Sequence, residues 1–540
     1  MFAEETTIIE SDKDMKFIKA VPFARLLPVL TVWLTGIYPV VVLYVHNADQ
    51  LLLRQLFFAI LISLALSSIV YVLWLFVLKN DLQASLATVV FLFIFWNYGL
   101  LYSGITKIGN LQHWHVLPLL LFFYFHLVYF ITRIRQHITL KNLNIIIIIP
   151  ISLLVVMNLV TILPVEYRRM IAAKDHSQSR NKSNKGIAGK NYPDIYLIIL
   201  DEYASIHTIK EEWGYDNSGF AGFLRDNGFF VAEKSEARYD QTTWNMPSLL
   251  NLGYLTGPVQ KEAFLDYIYE PNRIKGLAIY DVLAKIDFEE QIKRWNHNFL
   301  FKYLIKHGYK TIVLEGLSQH YSTLHIWDAD STFSYQDVNG SDSYSFLIDA
   351  FYIELIKKTM IFPFETFFKI DQSCNINYAG TKYVINYLEK DAYLSSGPKF
   401  TYAHIMCPHI PYVFDKEGNY ILPINENEQL KGAFMPAKNT VNAAYLEQYI
   451  YITNEIKSVV KSQMQNKSAI SPIIIIESDH GPRPHEVFLK DKTHSFEVFN
   501  AVYFPDGDYR NLNDSIAPVN TMRVVLNKFF GEAYNMLEDH

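Results

Sequence analysis

Cysteine is nearly absent from this chain: two in 540 residues, Cys374 and Cys407. There is no C-x-x-C pair, so zinc-finger and dithiol redox chemistry are excluded. The two thiols could pair in an oxidising compartment, and their spacing leaves both states open. A basic excess is also missing. The formal net charge is −6, which gives no electrostatic footprint for nucleic acid. Charge is scarcest in the first 164 residues, whose long apolar runs carry no Asp, Glu, Lys or Arg away from their ends. An ion-coupled pump or transporter would place charges there. His126 is the one titratable side chain within these runs and is expected to be a hydrogen-bonded packing histidine.

Five runs, 26–45, 56–78, 84–102, 116–131 and 145–163, approach the roughly 20 residues that span a bilayer. The fourth is the shortest and is flanked by His113 and His115. The first lies too deep in the chain, and too close to the others, for a cleaved signal peptide. Lys13, Lys16, Lys19 and Arg25 precede the first run, and Arg133, Arg135 and Lys141 follow the fourth. The positive-inside rule then puts residues 1–25 in the cytoplasm. With five spans over 26–164, everything after Pro164 lies outside; an even count would reverse this. Residues 165–191 include "AAKDHSQSRNKSNKGIAGKN", which is polar and aperiodic and reads as a linker.

From Tyr192 onward, strand and helix patterns alternate. "DIYLIIL", "FFVAEKS", "YKTIVLE", "KFTYAHIM", "PIIIIES" and "FNAVYFP" read as strands, and "FAGFLRDNG", "NFLFKYLIKHG" and 441–463 as helices. The predicted fold class is therefore α/β: an N-terminal helical transmembrane domain, then an α/β sandwich over 192–540 with a mostly parallel central sheet. Ligands of such sheets bind at the carboxyl ends of the strands.

Three predicted strand ends carry reactive groups. Asp201 and Glu202 follow "YLIIL"; Asp479 and His480 follow "IIIIES"; His404 and His409 flank the end of "YAHIMCPHIPY". Carboxylates plus an imidazole suit a divalent cation, Zn2+ or Mn2+, with Mg2+ or Ca2+ as alternatives. Taken singly, each could be a turn or a cap. In "YDQTTWNMPSLLNLGYL", Thr242 and Thr243 precede a helix-compatible segment at 247–252. A hydroxyl there is either a helix cap or a nucleophile activated by the helix terminus and a metal.

A strand ending in Asp, a hydroxyl before a helix, a Pro-His-x-Pro segment and a late Ser-Asp-His-Gly, in that order, resemble the sulfatase and alkaline-phosphatase superfamily. The resemblance is greatest to its membrane branch of lipoteichoic-acid synthases and of phosphoglycerol and phosphoethanolamine transferases. It covers about 192–539, including the "PVNTMRVVLNKFFGE" tail. It implies a sulfatase-like catalytic domain on the outer side of a bacterial plasma membrane. It implies Asp201, Thr242, Asp479 and His480 as metal ligands and Thr242 as nucleophile, with Thr243 as substitute. His409 would contact the transferring group or the leaving oxygen; His404, Arg483, His485 and His494 are further candidates for substrate contacts. "TTWNMPS" lacks the Cys and Arg of the C-x-P-x-R sulfatase nucleophile, so formylglycine chemistry is disfavoured. Glu202 stands where many sulfatases have a second Asp.

The expected activity is transfer of a phospho-headgroup from a membrane lipid to an envelope glycan or lipid through a threonine. The alternatives are a phosphodiesterase or sulfuric-ester hydrolase and, further off, a non-catalytic envelope protein.

Overall fold

The computed structural model describes residues 23–48, 51, 53–107, 111–186, 192–315, 326, 328–334, 350–364, 373–391, 398–421, 438–465, 470–484 and 486–538. The chain divides into two units.

The first unit is helical. Phe23–His46, Leu53–Leu78, His113–Arg133 and the start of His137–Gly186 are long and apolar enough to cross a membrane. The predicted third span is two helices, Asp81–Trp96 and Tyr98–Thr106, bent by 61°. Among the described residues the count is thus four, or five if the bent pair is one span. Apolar surfaces cannot drive apolar helices together inside lipid, so small residues and buried polar contacts hold them. Ser63 Oγ donates to the Gly36 carbonyl at 2.6 Å, and Ser85 Oγ lies 2.8 Å from Asn144 Oδ1. The segment Leu355–Pro363 belongs to this unit: Gly99 N–H donates to Lys358 O, and Met360 N–H to Phe95 O, both at 3.1 Å. His126 departs from expectation. Its Nδ1 bonds the Phe122 carbonyl one turn back at 3.0 Å and its ring lies 4.0 Å from that of Phe122, but on an exposed rather than an interior face of the helix.

The expected linker is in part helical. The helix from His137 runs on to Gly186. Its polar stretch has no apolar stripe, but Ala, Arg, Lys and Gln are strong helix formers, and absence of periodicity is not absence of helix.

The second unit is built on a seven-stranded sheet: β1 Ile195–Leu200, β2 Phe230–Ala232, β3 Lys310–Glu315, β4 Ser331–Ser334, β5 Lys399–Ile405, β6 Ile473–Ser478 and β7 Asn500–Tyr503. Their order is β2-β7-β6-β1-β5-β3-β4. β6, β1, β5, β3 and β4 run parallel; β7 and β2 add an antiparallel edge. The isoleucine-rich strands are buried on both faces, as central parallel strands must be. Tyr196, Ile198 and Leu200 enter one apolar layer with Phe220, Tyr449 and Ile456; Ile195, Leu197 and Ile199 enter the other with Leu250, Phe301 and Met522. The predicted strands and helices are all present, and β4 adds one that the sequence reading did not contain. Cys407 is a buried free thiol, its Sγ 3.8 Å from the Gln448 carbonyl.

Candidate metal centre and active site

β1 is flanked by β5 on one side and β6 on the other, so three parallel strands end side by side. The register pairs Leu200 with Ile405 and with Ser478. The residues just past these ends, Asp201 and Asp479, therefore share one edge of the sheet with His404.

Asp201, His404 and Asp479 each offer a ligand atom within 4.8 Å of the others'. His404 Nε2 lies 3.2 Å from Asp201 Oδ2, without the alignment of a hydrogen bond. Asp479 Oδ1 accepts the backbone N–H of Glu202 at 3.1 Å and of His480 at 2.8 Å. Its Oδ2 has no donor, and neither oxygen of Asp201 has one. Both carboxylates are fully buried. Three buried carboxylate oxygens without donors are costly in a protein interior.

His480 completes the set. Its Nδ1–H donates to the Gly481 carbonyl at 2.7 Å, because a carbonyl can only accept. The Nε2 lone pair then faces Asp479 Oδ2 at 3.3 Å and Asp201 Oδ1 at 4.0 Å. That lone pair accepts from the Thr242 hydroxyl, and the carboxylate oxygens it also faces are left without a donor, an arrangement that a cation between them would relieve. The orphaned oxygens and this fixed tautomer fit a divalent metal, with a carbonyl orienting the imidazole from behind.

Thr242 Oγ lies 3.1 Å from the same His480 Nε2. The helix begins at Thr242 rather than near Pro247 and runs Thr242–Leu250. Pro247 sits inside it, where it donates no backbone bond and its ring crowds the carbonyl one turn back. Thr242 thus occupies the first helical turn, where unpaired N–H groups favour negative charge. Thr243 is only half-buried and lies outside these contacts.

Burial pushes the Asp201 carboxyl up, but its interactions with the neighbouring imidazoles of His409, His404 and His480 outweigh this and hold it below the usual range. Burial pulls the His404 imidazole down, and Asp201 and Asp479 overcome this and raise it.

A second buried group lies beside the first. Glu202 points away from the Asp201 carboxylate toward Arg483, whose Nε donates to Glu202 Oε1 at 2.5 Å. The Arg483 backbone N–H reaches the same oxygen at 3.2 Å. Arg483 also pairs with Glu486 Oε1 at 2.6 Å and donates through Nη2 to His409 Nε2. His409 Nδ1–H donates to the Ile410 carbonyl. The peptide bonds Cys407–Pro408 and Ile410–Pro411 on either side are both cis. Glu202 adopts a left-handed backbone with φ of 60°, which is strained for a residue with a Cβ.

The remaining candidates separate. His494 is not with this set: its Nδ1 bonds Glu212 Oε1 at 2.7 Å, and it groups with His207 and Glu497. His485 lies outside the described residues. Three neighbours of the site were not anticipated. Glu486 follows Arg483 at i+3, a spacing that would have flagged it. Asp240 accepts from Tyr269 Oη at 2.7 Å, two residues before Thr242; burial raises its carboxyl despite that bond. No sequence signal connects Asp240 to Tyr269.

No family model matches the chain, and no curated protein matches it. Solved structures do. The chain is similar to the zinc-complexed C-terminal periplasmic domain of EcEptC from Escherichia coli, at 11% identity and TM-score 0.38, over 63% of this chain and 83% of that one. It is similar to the integral membrane lipooligosaccharide phosphoethanolamine transferase A from Neisseria meningitidis, at 11% identity and TM-score 0.35, over 94% and 95%. The lipoteichoic acid synthase LtaP from Listeria monocytogenes aligns at 9% identity and TM-score 0.35, over 68% and 80%. At TM-scores of 0.35–0.38 these likenesses leave the functional argument to the geometry.

Proposed function

We propose that the chain is a membrane-anchored, metal-dependent phosphotransferase of the sulfatase and alkaline-phosphatase superfamily. It moves a phospho-headgroup from a membrane lipid to an envelope glycan or lipid, with Thr242 as nucleophile and the soluble unit outside the plasma membrane. The observation that carries the reading is the convergence on one point of a helix-terminal hydroxyl, two buried carboxylates lacking donors and the His480 Nε2 lone pair.

Asp201, Thr242, Asp479 and His480 would hold the ion, with His404 against Asp201. When bound, a divalent cation would supply positive charge against the Thr242 oxygen and against a phosphoryl oxygen. Thr242 Oγ attacks phosphorus as its proton leaves. An O–P bond to threonine forms, the ester bond to the lipid alcohol breaks, and that alkoxide takes up a proton. His409, held by Arg483, is the candidate for contact with the leaving oxygen. An acceptor hydroxyl then attacks the phosphothreonine and frees Thr242.

The test is trapping. Full-length protein in detergent is incubated with a phospholipid carrying 32P in its headgroup, without acceptor, then digested. A labelled peptide containing Thr242, absent from Thr242→Ala, supports the scheme. Turnover that survives in both Thr242→Ala and Thr243→Ala, with no labelled peptide, overturns it. Adding an acceptor glycan separates transfer from hydrolysis by the product formed.

A further inference from the structure

Two groups of cation-binding side chains lie next to each other in the second unit, and they differ in one respect. In the first, Asp201 Oδ1 and Oδ2, Asp479 Oδ2 and His404 Nε2 have no hydrogen-bond partner. In the second, Glu202, His409 and Glu486 offer ligand atoms within 4.8 Å of one another, and a guanidinium already bonds all three residues, although Glu202 Oε2 is left without a donor. Arg483 reaches Glu202 through Nε, and Glu486 and His409 through Nη2. Its side chain is 9% exposed, and those of Glu202, Glu486 and His409 are 0%, 7% and 5% exposed. Two buried carboxylates would repel strongly without a positive charge between them. Arginine supplies that charge permanently, in a planar fork that fits carboxylates.

The two groups are also joined through the backbone. Glu202 holds Arg483 with its side chain and donates its own N–H to Asp479 Oδ1 at 3.1 Å. That double duty accounts for its left-handed φ of 60°: the residue turns its carboxylate away from Asp201 while its amide stays aimed at Asp479.

We propose that Arg483 is the resident cation of this second cluster, so that the chain takes up one divalent ion, in the first cluster, and no second one. Arg483 is then a positioning residue, which fixes His409 and contributes a constant positive charge beside the reacting centre. The inference rests on reading Asp201, Thr242, Asp479 and His480 as the metal-binding set.

Metal stoichiometry tests it. Full-length protein in detergent is stripped with chelator, reloaded with Zn2+, desalted and analysed for zinc per chain. Wild type is expected to hold one ion. Arg483→Ala, which vacates the Glu202–His409–Glu486 triad, should rise to two, and Arg483→Ala/Glu486→Gln should return to one. Arg483→Lys, which keeps a cation there, should stay at one. Asp479→Asn should hold none. Two ions in wild type, one ion in Asp479→Asn, or one ion in an Arg483→Ala protein that still melts cooperatively would each overturn the proposal. No ion in wild type refutes the metal-binding reading of the first cluster instead, so the two failures are distinct.

Discussion

Replacing Asp479 by Asn separates the metal requirement from the folding requirement. In the wild-type protein Asp479 Oδ1 accepts two backbone N–H groups and Oδ2 faces the His480 Nε2 lone pair at 3.3 Å. A carboxamide keeps the first arrangement and relieves the second, because its N–H can donate to Nε2. The metal-free variant should therefore be at least as stable as metal-free wild type. In wild type, three buried oxygens lack donors, at about 1–3 kcal/mol each. This penalty is lifted on binding, and an ion at 100 times its dissociation constant stabilises by about 2.7 kcal/mol. For a domain of this size that corresponds to roughly 5 °C in melting temperature. The assay is thermal melting of the detergent-solubilised chain with chelator and then with excess Zn2+. The expected result is a rise of about 5 °C for wild type and none for the variant, with the chelated variant melting no lower than chelated wild type. Equal responses to zinc in both proteins would refute the reasoning, as would a chelated variant that melts well below wild type.

Other predictions follow from single contacts. Thr242→Ala should lower turnover by about 10^6-fold, as expected for loss of a nucleophile, whereas Thr242→Ser keeps the hydroxyl and should retain most of it; steady-state headgroup release measures both. Gly481→Ala would place a Cβ 2.5 Å from the His494 carbonyl oxygen and 2.8 Å from that of Glu497; both are backbone, so a loss of about 1–3 kcal/mol is expected in denaturant melts, with weakened zinc uptake because His480 is its neighbour. Glu477 is fully buried on β6, with neither oxygen in a well-formed hydrogen bond and only the Thr521 hydroxyl to offset burial. Burial pushes its carboxyl well above the usual range. The folded state thus holds this proton more tightly than the unfolded chain, and its destabilising effect grows as pH rises above about 4.3. Glu477→Gln should gain about 1–3 kcal/mol at neutral pH and melt with a weaker pH dependence; equal slopes for both proteins would count against this.

The strands that carry the site are legible in the sequence because each is a short apolar run that stops on a polar group. What cannot be read there is strand order. Nothing local says that "YAHI" lies beside "YLIIL", so His404 reads as a substrate contact although it sits 3.2 Å from Asp201. Likewise, "DE" at 201–202 offers two carboxylates, and only the backbone turn at Glu202 sends the second to Arg483. His494 follows the same strand edge in sequence, but the carboxylate of Glu212, on the helix Ile206–Trp213, draws it into another group. The choice between Thr242 and Thr243 depends on where the helix starts. That start is displaced from the position Pro247 suggests: proline favours the first helical turn, yet here it lies inside the helix Thr242–Leu250.

The position of β1 sets an order of events in biogenesis. It pairs on one side with 399–405 and on the other with 473–478, some 200 and 280 residues further along the chain. A nascent polypeptide halted between Asp201 and Ser478 therefore has the first carboxylate of the proposed site but neither the complete strand that supports Asp479 nor the imidazole after it. On the proposed metal-binding reading, an ion would be captured only once almost the whole second unit has been made, and zinc retention by truncated chains would report on completion of the sheet.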